Sequence, residues 1–216
     1  MSTPLIDAID SGDLDRVAKL LAAGADPNAT RPSDYTPLQN AVEESQPPGE
    51  LGALDVMVLL LRHGALVDGR DGPEDATPLL RAVQRNHIEA VRLLLAAGAD
   101  PNVRDHEGDS PLRICLQKGY LEMARLLLLC GANKAIHAPD GGGPDMTALG
   151  NAAYFLNVDM VKLLLAFGAD PNVLDNDRYT VFELLQIKER YANPPLDPAS
   201  QARLREIRQL LGEPPA

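Results

Sequence analysis

Thr77 to Val103 reads TPLLRAVQRNHIEAVRLLLAAGADPNV, and slid along the chain this stretch lands again and again. Thr77 suits a helix N-cap and Pro78 the first helical position. Leu79 to Gln84 gives about two turns. Asn86 tolerates the left-handed backbone that ends a helix. Ile88, Val91, Leu94 and Leu95 then recur at helical spacing, and Gly98 closes the second helix. Each copy opens on a hydroxyl residue: Thr3, Thr36, Thr77, Ser110, Thr147 and Thr180. The spacings are 33, 41, 33, 37 and 33 residues. A fixed period with occasional insertions is the signature of a repeat array, in which each unit touches only its neighbours.

The longer second unit places its extra residues around Gln46-Pro47-Pro48-Gly49, where two prolines forbid a continuous helix, so an enlarged loop is expected over 46–53. The connection 134–146 is four residues longer than its equivalents and contains Gly141-Gly142-Gly143, which predicts a flexible loop. In the fifth unit Leu156-Asn157 stands where others have a glycine turn, and Asn157 is expected to take the left-handed conformation. The sixth unit departs most. Its proline-rich stretch 192–199 precedes a polar last helix over Gln201 to Leu211, as suits a cap facing water.

Composition sets limits on function. A chain of 216 residues buries on the order of 70% of its unfolded surface. Aromatics are only 4% and Trp is absent, so leucine and alanine supply the core. The net charge of -11 argues against nucleic acid and against an anionic membrane surface. It favours a basic protein partner, or serves solubility alone. Cys115 and Cys130 read as reduced, small core residues of a cytoplasmic protein. No signal peptide and no membrane span is expected, and no disordered leader. A non-Sec export route stays open.

Catalytic, cofactor and metal signals are weak. His63, His87, His106 and His137 are scattered without metal-ligand spacing and read as solvated or capping histidines. The triple glycine lacks the Lys-Ser/Thr of a phosphate loop. Asp175-Asn176-Asp177 lacks the Gly and the final Glu of a calcium loop and reads as a turn. No nucleophile and base set can be assembled. The expectation is a non-enzyme without cofactor or metal.

Thr-Pro-Leu at Thr3, Thr36 and Thr77, Ser-Pro-Leu at Ser110, and Gly-Ala-Asp-Pro-Asn at Gly24, Gly98 and Gly168 resemble ankyrin repeats over nearly the whole chain. The resemblance implies an all-α solenoid of about six helix-turn-helix units joined by β-hairpin fingers, with a degenerate C-terminal cap. It implies a single domain over 1–216, divided as 3–35, 36–76, 77–109, 110–146, 147–179 and 180–212. The histidine usual in the family's opening is replaced by Ile6, Gln39, Leu80, Arg113, Gly150 and Glu183, which weakens a hydrogen-bonding device of the family.

The resemblance further implies a monomeric protein-binding scaffold that meets its partner on a concave face of fingers and first helices. The matching finger-tip positions are Tyr35, Ala76, Asp109, Met146 and Tyr179. The matching helix-end pairs are Asp10 and Ser11, Glu43 and Glu44, Gln84 and Arg85, Gln117 and Lys118, Tyr154 and Phe155. From these the expected protein-binding set is Tyr35, Glu43, Glu44, Gln84, Arg85, Asp109, Gln117, Lys118, Met146, Tyr154, Phe155 and Tyr179. Four of its members are aromatic in a chain with only eight Phe and Tyr, and aromatics are enriched among binding hot spots.

The finger segments 26–35, 64–76, 100–109, 132–146 and 170–179 hold 15 acids and five bases, nearly the whole net charge. They are expected to form an acidic edge that suits a basic partner. Two other roles remain open: an immunity-type inhibitor subunit of an enzyme or toxin, and a secreted effector acting in a host cell.

Overall fold

The computed structural model describes residues 4–30, 35–44, 51–70, 75–137 and 146–212. The insertion around Gln46–Gly49 and the triple-glycine loop lie outside them. The chain folds into two compact units, Met1–His106 and Glu107–Ala216.

The first unit stacks three helix pairs: α1 (Pro4–Asp10) with α2 (Leu14–Ala22), α3 (Pro37–Glu43) with α4 (Leu51–Arg62), and α5 (Pro78–Gln84) with α6 (Ile88–Ala96). The second holds α7 (Pro111–Lys118) with α8 (Leu121–Leu129), a single turn α9 (Lys134–His137), α10 (Ala148–Tyr154) with α11 (Val158–Ala166), and α12 (Val181–Arg190) with α13 (Pro198–Leu210). Opening helices pack on opening helices and second helices on second helices, as α1 on α3 on α5 and α2 on α4 on α6.

The openings work as their sequence dictates. The hydroxyls of Thr36, Thr77, Ser110, Thr147 and Thr180 each accept a hydrogen bond from the backbone N–H three residues on, at 3.1–3.4 Å. Each satisfies one of the donors that a helix start leaves orphaned. Leu60, Leu94, Leu127 and Leu164, each four residues before a closing glycine, are fully buried.

Several expectations change. Leu156, not Asn157, takes the left-handed backbone, at φ 57°. Asn157 instead caps α11, its side-chain oxygen accepting from the Met160 N–H at 3.1 Å. The turn has a fixed register in which the left-handed residue comes first and the cap second, as in Asn86-His87 and Gly12-Asp13. The left-handed backbone costs a leucine about 1 kcal/mol, which burial of its side chain to 7% exposure offsets.

Cys130 is exposed at the C-cap of α8, whereas Cys115 is buried. Lys134–His137 forms the helical turn α9, not loop, because Ile136 turns into the core. The last helix begins earlier than expected, at Pro198, capped by Asp197.

No strand occurs among the described residues, so the described finger residues form turns and not β-ladders. Pro101 and Pro171 have no N–H to pair. The aspartates beside them bond their own backbone: Asp26, Asp100 and Asp170 accept from the N–H two residues on at 2.8–2.9 Å. These local bonds compete with a ladder. At the last finger a hairpin-like closure forms, with Asp175 N–H donating to the Tyr179 carbonyl at 3.0 Å.

Two of the residues standing where the family has histidine serve the packing. Gln39 is fully buried, accepts from the Thr36 N–H at 2.7 Å and donates to the Ala76 carbonyl, just before the next opening. The hydrogen-bonding device is thus rebuilt with an amide. Gly150 lets α12 approach α10, for a Cβ there would stand 2.9 Å from Leu184 Cδ1.

Candidate functional site

The residues expected to bind a partner fall into both units. In the first unit, Glu43 ends α3 with each carboxylate oxygen held. Arg81 Nη1 donates to one at 3.0 Å and Arg85 Nη2 pairs with the other. Arg81 is only 4% exposed, and its guanidinium lies 3.7 Å from the Tyr35 ring centroid, within cation–π range. Tyr35, Glu43 and Arg85 are therefore brought together by a buried arginine that sequence reasoning passed over. Its signal was available: a charged residue inside the apolar run Pro78–Val83.

Glu44 is exposed and Gln84 half-buried beside this network. Ala76 is fully buried and is no finger-tip contact, because its carbonyl takes the Gln39 amide. Asp10 and Ser11 are exposed, and the Ser11 hydroxyl donates back to the Ala8 carbonyl at 3.0 Å. The fingers tie to one another. The Asn28 side chain donates to the Gly64 carbonyl and accepts from the Leu66 N–H, at 3.0 and 2.8 Å. The Asp68 carboxylate accepts from the Asp100 N–H at 3.2 Å.

In the second unit Asp109 and Arg113 form a largely buried ion pair at 2.6 Å, so Asp109 is engaged by the opening helix of the repeat that follows it. Gln117 and Lys118 are exposed at the end of α7, and Met146 is half-buried. Tyr179 is partly exposed, and its N–H donates to Asp175 Oδ1 at 2.7 Å. The carboxylate of Asp175 thus closes the turn that the Asp-Asn-Asp pattern suggested.

Tyr154 and Phe155 end α10. Their rings meet edge to face, 5.5 Å apart at 86°. Lys188 Nζ stands 4.7 Å from the Tyr154 centroid, a contact with no signal in local sequence. Phe155 is 63% exposed and separates two clefts of about 370 Å³ each. Gln117, Lys118, Asn151 and Asn157 line one, and Asp159 and Arg203 the other. The edge-to-face contact leaves most of the Phe155 ring open to water.

The reactive groups take structural parts. Burial pushes the Cys115 thiol up to about 12, so at neutral pH it is a neutral thiol and not a nucleophile. His87 is buried, and its Nδ1 accepts from the Ala90 N–H at 3.2 Å and caps α6. Among the described residues no group of three His, Cys, Asp or Glu could hold a metal ion. No helix there is long and apolar enough to cross a membrane.

Stacked helix pairs on a 33-residue period define a helical repeat protein. The family model described as "Ankyrin repeats (3 copies)" matches residues 5–105 and 50–140, and that described as "Ankyrin repeat" matches 145–176. The chain belongs to the ankyrin repeat family.

Among curated relatives it is 46% identical over 172 residues to "Palmitoyltransferase Hip14" of Drosophila melanogaster, which covers 79% of this chain and 25% of that protein. It is 34% identical over 110 residues to "Ankyrin repeat and SOCS box protein 6" of Mus musculus, covering 50% and 25%. The chain thus spans about a quarter of the length of these relatives. A crystal structure of an ankyrin repeat domain from Acinetobacter baumannii superposes with a TM-score of 0.76 at 22% identity over 97% of each chain. A second ankyrin repeat protein gives 0.74 at 22% identity, over 95% of this chain and 96% of that one. Ankyrin repeats generally mediate protein–protein interaction.

Proposed function

We propose that the chain is a scaffold that binds a protein partner through the ends of its opening helices and its fingers. The exposed Tyr154–Phe155 pair carries this reading, because Phe155 is 63% exposed to water while its neighbour holds it in place. Tyr35, Glu43, Glu44, Gln84 and Arg85 offer a charged surface in the first unit. Asp109, Gln117, Lys118, Met146 and Tyr179 complete the set in the second.

A partner with a basic surface is the sharper form of the proposal. Many finger carboxylates are engaged with backbone N–H groups, yet a hydrogen-bonded carboxylate keeps its charge. The fingers therefore supply a negative field more than individual ion-pair partners. Affinity purification with mass spectrometry tests both layers. Proteins retained by the native chain and lost with Tyr154→Ala and Phe155→Ala support the aromatic site. Retention that falls as salt rises from about 0.05 to 0.5 M supports a basic partner, and salt-insensitive retention overturns it.

A further inference from the structure

The chain carries 31 acids against 20 bases, but residues 188–212 reverse the balance with five bases and three acids. This segment holds the end of α12, the connection 191–197 and α13, which together enclose a cleft of about 450 Å³. Arg190, Arg205 and Arg208 line it, with Glu189, Gln201 and Leu204.

The three acids of the segment are already engaged. Glu206 accepts from Lys162 Nζ at 2.7 Å, Asp197 caps α13 by accepting from the Ser200 N–H at 2.9 Å, and Glu189 pairs with Arg208 at 3.0 Å. Arg205 Nε donates to the Gln201 carbonyl at 3.3 Å, and the Arg190 guanidinium lies 5.6 Å from the Tyr191 ring. Among the described residues neither Arg190 nor Arg205 forms an ion pair, so two guanidinium charges face one cleft without a counter-ion. The dipole of α12 favours a cation in its last turn and accounts for Arg190 in part, but it offers nothing to Arg205 on α13.

We infer that this cleft binds a phosphate monoester. Two uncompensated guanidinium groups match a phosphate monoester, which carries about -1.5 to -2 charges at neutral pH. Their planar forks suit its oxygens in bidentate pairs. The volume exceeds what a bare phosphate fills and lies in the range of small-molecule sites. Pro195 and Leu196 supply an apolar wall for the organic part, so an ester binds more tightly than inorganic phosphate. The site is separate from the Tyr154–Phe155 pair and stands or falls independently of the proposal above.

The test is a titration of the full chain, read on the Arg Nε–H resonances. The probes are phenyl phosphate, inorganic phosphate and a phosphoserine hexapeptide, with the unphosphorylated peptide and potassium chloride at matched ionic strength as controls. Saturable shifts of Arg190 and Arg205 with phenyl phosphate or with the phosphopeptide are expected, and whichever binds more tightly distinguishes a small metabolite from a modified protein chain. Arg190→Gln with Arg205→Gln is expected to weaken binding at least about tenfold, and Glu189→Gln to tighten it several-fold. These groups lie at the protein surface, and circular dichroism checks that the variants stay folded. No saturation by any phosphate, equal shifts with chloride or with the unphosphorylated peptide, or unchanged affinity in the double variant each overturns the assignment.

Discussion

Glu43-Glu44 in the first unit and Tyr154-Phe155 in the second occupy the same two places at the end of the opening helix, and in both pairs the first residue is half-buried and engaged while the second is exposed. Glu43 is closed in by two arginines, one of them buried and stacked on Tyr35. Glu44, like Phe155, is exposed. What engages the first place comes from one repeat further along the chain. Four residues after the next opening hydroxyl the first unit has Arg81, which reaches back to Glu43. The equivalent residue after Thr180 is Leu184, which has no polar group to offer, and the cation comes instead from Lys188 over Tyr154. The place in the repeat therefore goes with engagement or exposure in both pairs, and the following repeat supplies the chemistry of the engaged one.

If that division is right, the shared core should behave alike in both units, and the engaged and exposed places at the helix ends should not. Leu94→Ala and the equivalent Leu164→Ala should each lose about 2–5 kcal/mol in urea melts. A loss under about 1 kcal/mol in either would mean that the two stacks are not packed alike. At the helix ends, Glu43→Gln strips the buried Arg81 of its charge partner and should destabilise by about 3 kcal/mol. Phe155→Ala should change stability by less than about 0.5 kcal/mol. Near-equal losses in these two variants would erase the distinction drawn between them.

A smaller effect probes the caps. Asp13, His87 and Asn157 each accept a backbone N–H at the start of the second helix, whereas Tyr120 makes no such bond. Tyr120→Asn should stabilise by about 0.5–1 kcal/mol in thermal melts, and no gain would show that the tyrosine ring compensates by packing.

The smallest effect is titratable. The Thr180 N–H holds the Glu183 carboxyl below its ordinary value of 4.5, and the Ser200 N–H holds Asp197 below 3.8. Groups lowered on folding stabilise above their unfolded pKa and lose that contribution as pH falls through the lowered values. The second unit should therefore weaken below about pH 4.5, and Glu183→Gln should flatten that part of the stability profile.

The period, the caps and the leucine core are legible in the sequence because each is written in local spacing. Helix existence follows from Thr-Pro-Leu and from apolar residues at helical intervals, and those need no knowledge of neighbours. The Glu43–Arg81–Tyr35 cluster is not legible, since its members come from three segments and only packing brings them together. The Leu156 turn escapes for a different reason. Residue preference favours asparagine for the left-handed position, but the cap one residue later claims it. Cys130 is misplaced because a helical pattern does not mark its own last residue. The fingers read as hairpins from the resemblance, while their proline and aspartate content, visible throughout, favours local turns.

Gly150 carries one more consequence. The other openings have Ile6, Gln39, Leu80, Arg113 or Glu183 at this place, but here anything beyond hydrogen would press on Leu184. The fifth repeat has thus been cut to fit the sixth, and the junction is bespoke. Units of this chain are not interchangeable bricks. Shortening or shuffling it by whole periods would keep the spacing of 33 residues and still bring together surfaces never shaped for each other.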